Sequence, residues 1–254
     1  MEDEKKSIFE DGQVLLFDKP VYWTSFDLVN KVRIMIRSTF GIRKLKVGHA
    51  GTLDPLASGL MIICTGKETK KIDEFRDLDK EYMATFHLGE TTPSFDLETE
   101  TDYQYPTGHI TEELVKEVLV SFLGEQKQLP PMYSAKLIAG KRAYEFARKG
   151  IQKELELVKV FFREIELISF EIPEIKIRLV CSKGTYIRSF ARDLGKALKS
   201  GSYLSALERT AIGLYHVKNA YSIEKFNEYI EQMNLTCCSD STDHERTVKL
   251  NKNE

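Results

Sequence analysis

Apolar residues recur along this chain at two periods, and each change of period marks a new element. Val14, Leu15, Leu16 and Phe17 form a short apolar run within Gln13 to Asp18 that ends at Pro20, which predicts a strand. Thr24-x-x-Asp27 then has capping-box form, and Leu28, Val32, Met35 and Ile36 follow at helical spacing with Lys31 and Arg33 off the stripe. Tyr82, Ala84, Phe86 and Leu88 alternate with more polar neighbours, the period of a half-buried strand. Thr111, followed by Leu114, Val115, Val118, Leu119 and Phe122 and then Gly124, predicts a helix capped at both ends. Ile175, Ile177, Leu179 and Cys181 alternate into the turn Ser182-Lys183-Gly184, and Ile187, Phe190, Leu194 and Leu198 mark another helix. Strands follow one another from Val158 to Cys181 without regular βαβ spacing, which points to an α+β fold with a mixed, mostly antiparallel sheet flanked by helices. There is no internal repeat. The chain divides into a polar leader over 1–11, a folded domain over 12–233 and a polar tail over 234–254.

Composition narrows the class. At 42% hydrophobic and 30% charged, the 254 residues bury enough apolar surface to offset their ordering entropy, so wholesale disorder is excluded. No apolar run reaches about 18 residues and no secretion signal opens the sequence, so a cytoplasmic protein with no membrane partner is expected. Cys64, Cys181, Cys237 and Cys238 make no C-x-x-C pair, so no metal site is expected.

The net charge of -2 conceals segregation. Leu28 to Leu53 holds six bases and no acid. Gln126 to Lys153 holds seven bases against Glu145, and Lys176 to Lys199 seven against Asp193. Ten carboxylates crowd from Asp73 to Asp102 in compensation. With a Debye length near 10 Å, a polyanion meets the local field rather than the total. Such runs suit nucleic acid, and they equally suit ordinary solvated faces.

Candidate chemistry sits in a few clusters. Gly48-His49-Ala50-Gly51-Thr52-Leu53-Asp54-Pro55-Leu56-Ala57-Ser58-Gly59 is dense in backbone punctuation, and Pro55 pushes Asp54 into an extended conformation. Asp54 is the only acid between Leu28 and Lys67; among bases, its carboxylate stays ionised and available as nucleophile or base. A plain Asp-Pro turn with a surface histidine fits the same residues. Cys181 to Arg188 spans a strand-to-helix junction in which Tyr186 and Arg188 border the apolar stripe, positions that serve either a cleft or packing at a helix start. Tyr82 suits a core position or a stack on an unpaired base. Lys183-Gly184-Thr185 lacks the leading glycine of a P-loop, and no H-E-x-x-H, G-x-S-x-G or G-x-G-x-x-G pattern occurs. Leu129-Pro130-Pro131-Met132-Tyr133-Ser134-Ala135-Lys136 is too rich in proline for a helix or central strand and reads as an ordered loop or a rigid linker.

In order and spacing, these clusters resemble the bacterial tRNA pseudouridine synthase B family. The resemblance runs from about Gly12 to Tyr215 and rests on Asp18-Lys19-Pro20 with Thr24-Ser25, the Gly48 to Gly59 block, Thr69-Lys70, Asp79-Lys80-Glu81-Tyr82, Leu88-Gly89-Glu90-Thr91-Thr92, Gln128 to Lys136, and Cys181 to Arg188. It implies a pseudouridine synthase catalytic fold with one RNA-binding cleft, acting on a uridine in the T-loop of tRNA (position 55 in tRNA numbering). It also implies that Asp54 is the essential catalytic carboxylate and that Arg188 pairs with it. His49 would hold the flipped nucleotide's backbone, Tyr82 would stack on the target base, Tyr186 and the apolar Leu207 would line the site, and Lys19 would contribute to RNA binding. The reaction needs no cofactor and no metal, and a monomer is expected with the tRNA T-arm as partner. Tyr22 stands where the family pattern has glycine, and about 40 residues follow Tyr215, too few for the small RNA-binding PUA domain that many members carry. Two other readings share the basic segments: an RNA-binding or tRNA-folding module, and an enzyme guided by RNA to ribosomal targets. The bacterial look of the His49-Ala50-Gly51 and Pro130 blocks disfavours the second.

Overall fold

The computed structural model describes residues 8–133 and 155–235, with 137–138, 141–142, 145–146 and 151 between them. The described residues fall into two compact units, one formed by those up to Arg76 together with those from Tyr215 onward, the other by Asp77–Leu214.

In the first unit, β1 (Val14–Lys19) leads through a turn into α1 (Ser25–Phe40), then β2 (Val47–His49) and β3 (Ala57–Thr65). β3 pairs antiparallel with β1, from Val14↔Cys64 to Lys19↔Gly59, and with β2, from Val47↔Thr65 to His49↔Ile63. Its run Leu60-Met61-Ile62-Ile63-Cys64 is fully buried, as a strand covered on both faces requires. The expected capping box is present: the Thr24 hydroxyl accepts from the Asp27 amide, and the Asp27 carboxylate accepts from the Thr24 amide. Gly41, at φ 64°, ends the helix in the left-handed region that glycine enters without strain. Residues 8–11 are helical, and Phe9 is buried with its ring 5.4 Å from that of Phe40. A helix over 223–235 brings Phe226 edge-on to Phe17 at 4.9 Å. Asn234 and Leu235 close that helix, and the rest of the predicted tail lies outside the described residues.

The second unit is built on an antiparallel sheet. It comprises β4 (Lys80–Leu88), α2 (Glu112–Ser121), β5 (Gly124–Gln128), β6 (Val158–Glu171), β7 (Glu174–Cys181), α3 (Ile187–Ala197) and β8 (Ser202–Ile212), with strand order β8-β4-β7-β6-β5. This is the α+β, mostly antiparallel arrangement that the sequence predicts. Tyr82, Ala84, Phe86 and Leu88 all turn inward, as their alternation requires. α3 lies on that face, where Phe190 meets the rings of Phe86, Phe122 and Phe162 at 5.5, 5.0 and 5.2 Å. A Cβ on Gly195 would stand 2.5 Å from the Ser202 amide, so glycine sets how closely α3 approaches β8. One expectation is corrected: α2 ends at Phe122, whose amide bonds back to Leu119 and Val120, and Gly124, at φ 85°, opens β5 instead of capping the helix. Among the described residues no helix is long and apolar enough to cross a membrane.

Among the described residues three cations are buried in this unit, Lys80 at 6%, Arg188 at 5% and Arg209 at 1% exposure. Burial first, then the neighbouring Arg209, pushes the Lys80 ammonium down to about 8. Below that pH the charged amine is carried into the fold at a cost; between about 8 and the ordinary 10.5, the folded chain releases the proton before the unfolded chain does. Stability from Lys80 therefore rises as pH climbs through this window. The buried thiols of Cys64 and Cys181, pushed up to about 11 and about 12, act in the opposite sense. Urea denaturation of wild type and Lys80→Met isolates the lysine: the variant should be the more stable at pH 7, with its advantage shrinking steadily from pH 8 to pH 10.5. An advantage independent of pH would exclude the amine as its source.

Candidate active site

The loop between β2 and β3 presents Asp54, half-buried, at the start of a turn closed by the Ala57 amide donating to the Asp54 carbonyl at 3.1 Å. Gly51, at φ 116°, lets the chain enter this loop in a conformation closed to side-chain-bearing residues. Both flanks of Asp54 are held from the start of α1. The Ser25 hydroxyl donates to the Leu53 carbonyl at 3.0 Å and accepts from the Leu53 amide at 2.9 Å. Beyond Asp54, the Pro55 carbonyl accepts from the Tyr22 amide at 2.7 Å. The 20–23 turn is itself anchored by Lys19, which is fully buried and donates its ammonium to the Pro20 and Trp23 carbonyls at 2.9 and 2.7 Å. His49 is half-buried on β2 opposite Ile63, and Gly48 before it leaves only 2.6 Å between a would-be Cβ and Ile72 Cδ1. Two blocks about thirty residues apart, Asp18 to Ser25 and Gly48 to Gly59, thus form one backbone assembly within the first unit.

The second unit gathers the other candidates on a single sheet face. On β4, Tyr82 stands opposite Arg209 of β8 and Leu179 of β7, and Ala84 stands opposite Leu207. Tyr82 and Leu207 are therefore diagonal neighbours on the face that carries Phe86, the face covered by α3. Arg188 projects from the first turn of α3 and is buried, with its Nε 3.5 Å from the equally buried carboxylate of Asp96. Tyr186 caps this helix without a side-chain bond; instead, the buried Gln128 amide accepts from the Tyr186 N–H at 2.8 Å and donates to its carbonyl at 3.0 Å. The Leu129 carbonyl, which opens the Pro-rich loop, takes bonds from Ser189 and Arg192. Ser134, Ala135 and Lys136 of that loop lie outside the described residues.

His49, Asp54 and Lys19 therefore belong to the first unit, and Tyr82, Tyr186, Arg188 and Leu207 to the second. Three supporting residues escaped the sequence reading. Ser25 was part of a motif without a role of its own. Gln128 is a lone amide at a strand end and carries no local signal. Asp96 was hidden among the acids from Asp73 to Asp102, where it counted only as compensating charge. Its local setting is distinctive: Thr92 and Ser94 hydroxyls donate to its carbonyl at 2.7 and 3.1 Å, and its carboxylate accepts from the Glu98 amide at 2.9 Å. The segment is pinned beside β8 by the Leu204 amide donating to the Phe95 carbonyl at 3.0 Å. Asp96 thus arrives at Arg188 on a fixed backbone.

Comparison with known proteins gives a consistent answer. The family described as TruB family pseudouridylate synthase, N-terminal domain, matches residues 37–187. A tRNA pseudouridine synthase B of Phocaeicola vulgatus is 56% identical over 227 residues, 89% of this chain and 97% of that protein. The protein of the same name from Parabacteroides distasonis is 57% identical over 224 residues, 88% of this chain and 95% of its own. Among solved structures, a chain in the crystal structure of a Cbf5-Nop10-Gar1 complex superposes with a TM-score of 0.66 at 25% identity, covering 89% of this chain and 56% of that one.

The Ser25 clamp makes a direct prediction. Ser25→Ala leaves the buried Leu53 amide and carbonyl without their hydroxyl partner and should cost about 1–3 kcal/mol in urea denaturation. The Leu53 amide should exchange with solvent faster than in the wild type, by at least tenfold if the loss is local. Unchanged exchange at Leu53 would show that Ser25 does not hold the loop.

Proposed function

This chain belongs to the TruB family of pseudouridylate synthases and isomerises uridine to pseudouridine in RNA, and we propose that its target is a T-loop uridine of tRNA, with Asp54 as the catalytic carboxylate. Near-full-length similarity to proteins named for this activity carries the reading. His49, Tyr82, Tyr186, Arg188 and Leu207 serve substrate binding in this proposal, with Lys19 contributing through the turn it anchors. The protein acts as a monomer on the T-arm.

The chemistry asks for little beyond these residues. The N1–C1′ glycosidic bond breaks, uracil turns, a C5–C1′ bond forms, and the C5 proton passes to solvent while N1 gains one. No electron is gained or lost overall. One ionised carboxylate suffices as nucleophile or base, provided that it is held where the ribose arrives. The base must first leave its stack at a cost of a few kcal/mol, which a ring such as Tyr82 offsets by stacking, at about 1–3 kcal/mol per base. A half-buried aspartate on a loop bonded on both flanks suits this role, because its backbone needs no reordering when substrate binds.

Loss of the C5 hydrogen provides the test. T-arm RNA labelled with tritium at uridine C5 should release label to water with the wild type. Asp54→Asn, which keeps the shape and removes the charge, should release at least about 10³-fold less at equal folded protein. Equal release by the two proteins would remove Asp54 from the reaction.

A further inference from the structure

The turn that braces the Asp54 loop carries an aromatic ring on its outer side. Tyr22 adopts φ 69° and is 81% exposed. For a bulky residue the left-handed region costs about 1–2 kcal/mol, and a ring left in water recovers little of that by packing within the chain. Phe26, four residues on and in the first turn of α1, is 65% exposed, and Val21 is 39% exposed. Arg33 and Arg37 follow Phe26 at seven and eleven residues, on the same face of α1. Those two arginines donate to the Val47 and Ile42 carbonyls at 3.3 and 3.2 Å, so the exposed rings lie at the start of a helix face whose cations come later, and the Tyr22 amide bonds directly to the residue after Asp54.

Two exposed rings, with backbone strain spent on holding one of them outward, are the ingredients of a base-stacking platform. We propose that Tyr22, supported by Phe26, stacks on an unpaired nucleobase of the RNA substrate flanking the uridine that is isomerised. The proposal rests on the isomerase reading and adds a second, base-stacking contact to it. Because the Tyr22 amide and the Asp54 turn are one hydrogen bond apart, a base seated on this ring fixes the register of the RNA strand against the reacting carboxylate. The strain is accepted where contact with substrate repays it.

The test uses the full chain and a T-arm RNA hairpin at one fixed salt concentration. Tyr22→Phe should bind within about twofold of the wild type. Tyr22→Ala and Tyr22→Gly should bind at least about fivefold more weakly, the lower end of the stacking range. Tyr22→Gly should also melt at a higher temperature, because it removes the strain, so its weaker binding cannot come from unfolding. The dependence of affinity on salt should be the same for all four proteins, since no charge changes. Single abasic substitutions in the hairpin then identify the base: at one position beside the target uridine, removing the base should weaken the wild type and leave Tyr22→Ala unaffected. Full affinity in Tyr22→Gly, or the absence of any abasic position that couples to Tyr22, overturns the platform. Tritium release by the wild type in the same preparation separates this failure from failure of the isomerase reading, which would show as no release at all.

Discussion

The reciprocal pair of hydrogen bonds between the Ser25 hydroxyl and the backbone of Leu53 is the constraint on which the Asp54 loop depends. A loop entered through a glycine is conformationally permissive, and permissiveness is entropy that must be removed before one carboxylate can be aimed. The protein removes it from outside the loop. Ser25 sits at the start of α1, whose position is set by the burial of Leu28, Val29, Val32, Met35 and Ile36, so the apolar face of a helix ends up restraining a polar loop. The Tyr22–Pro55 bond and the Lys19 ammonium extend the restraint to the other flank.

The second unit solves a similar problem with charge. Arg188, on the first turn of α3, is buried, and a buried guanidinium needs a partner or it destabilises the fold. Asp96 is delivered to it by a tight turn pinned to β8, and Gln128 fixes the turn of chain from which α3 starts. The packing of Phe190 among three other rings then holds α3 to the sheet, so the helix that carries Arg188 is anchored by an aromatic cluster. The Asp54 loop and the start of α3 are thus each held by residues distant in sequence.

Much of this was legible along the chain. Hydrophobic period yields α1, β4, β7 and α3, because a half-buried strand and an amphipathic helix must each sort their side chains at a fixed repeat, and a short apolar run stopped by Pro20 yields β1. The capping box of α1 is equally local, since its two hydrogen bonds join residues three apart. The end of α2 was misread for a related reason: glycine marks a helix end and a strand start alike, and the choice at Gly124 depended on pairing with β6, which no local window contains.

Asp54, His49, Tyr82, Tyr186 and Arg188 stand out as candidates because their motifs lie within short stretches, and the family resemblance supplies the roles proposed for them. Their supports could not be found that way. Ser25 reaches Leu53 across 28 residues, Gln128 reaches Tyr186 across 58, and Asp96 reaches Arg188 across 92. A hydroxyl, an amide or a carboxylate looks the same in a sequence whether it faces water or a buried partner. Its role emerges once the fold has removed the water, because an unmet polar group then carries a free-energy cost that dictates which distant residue must answer it.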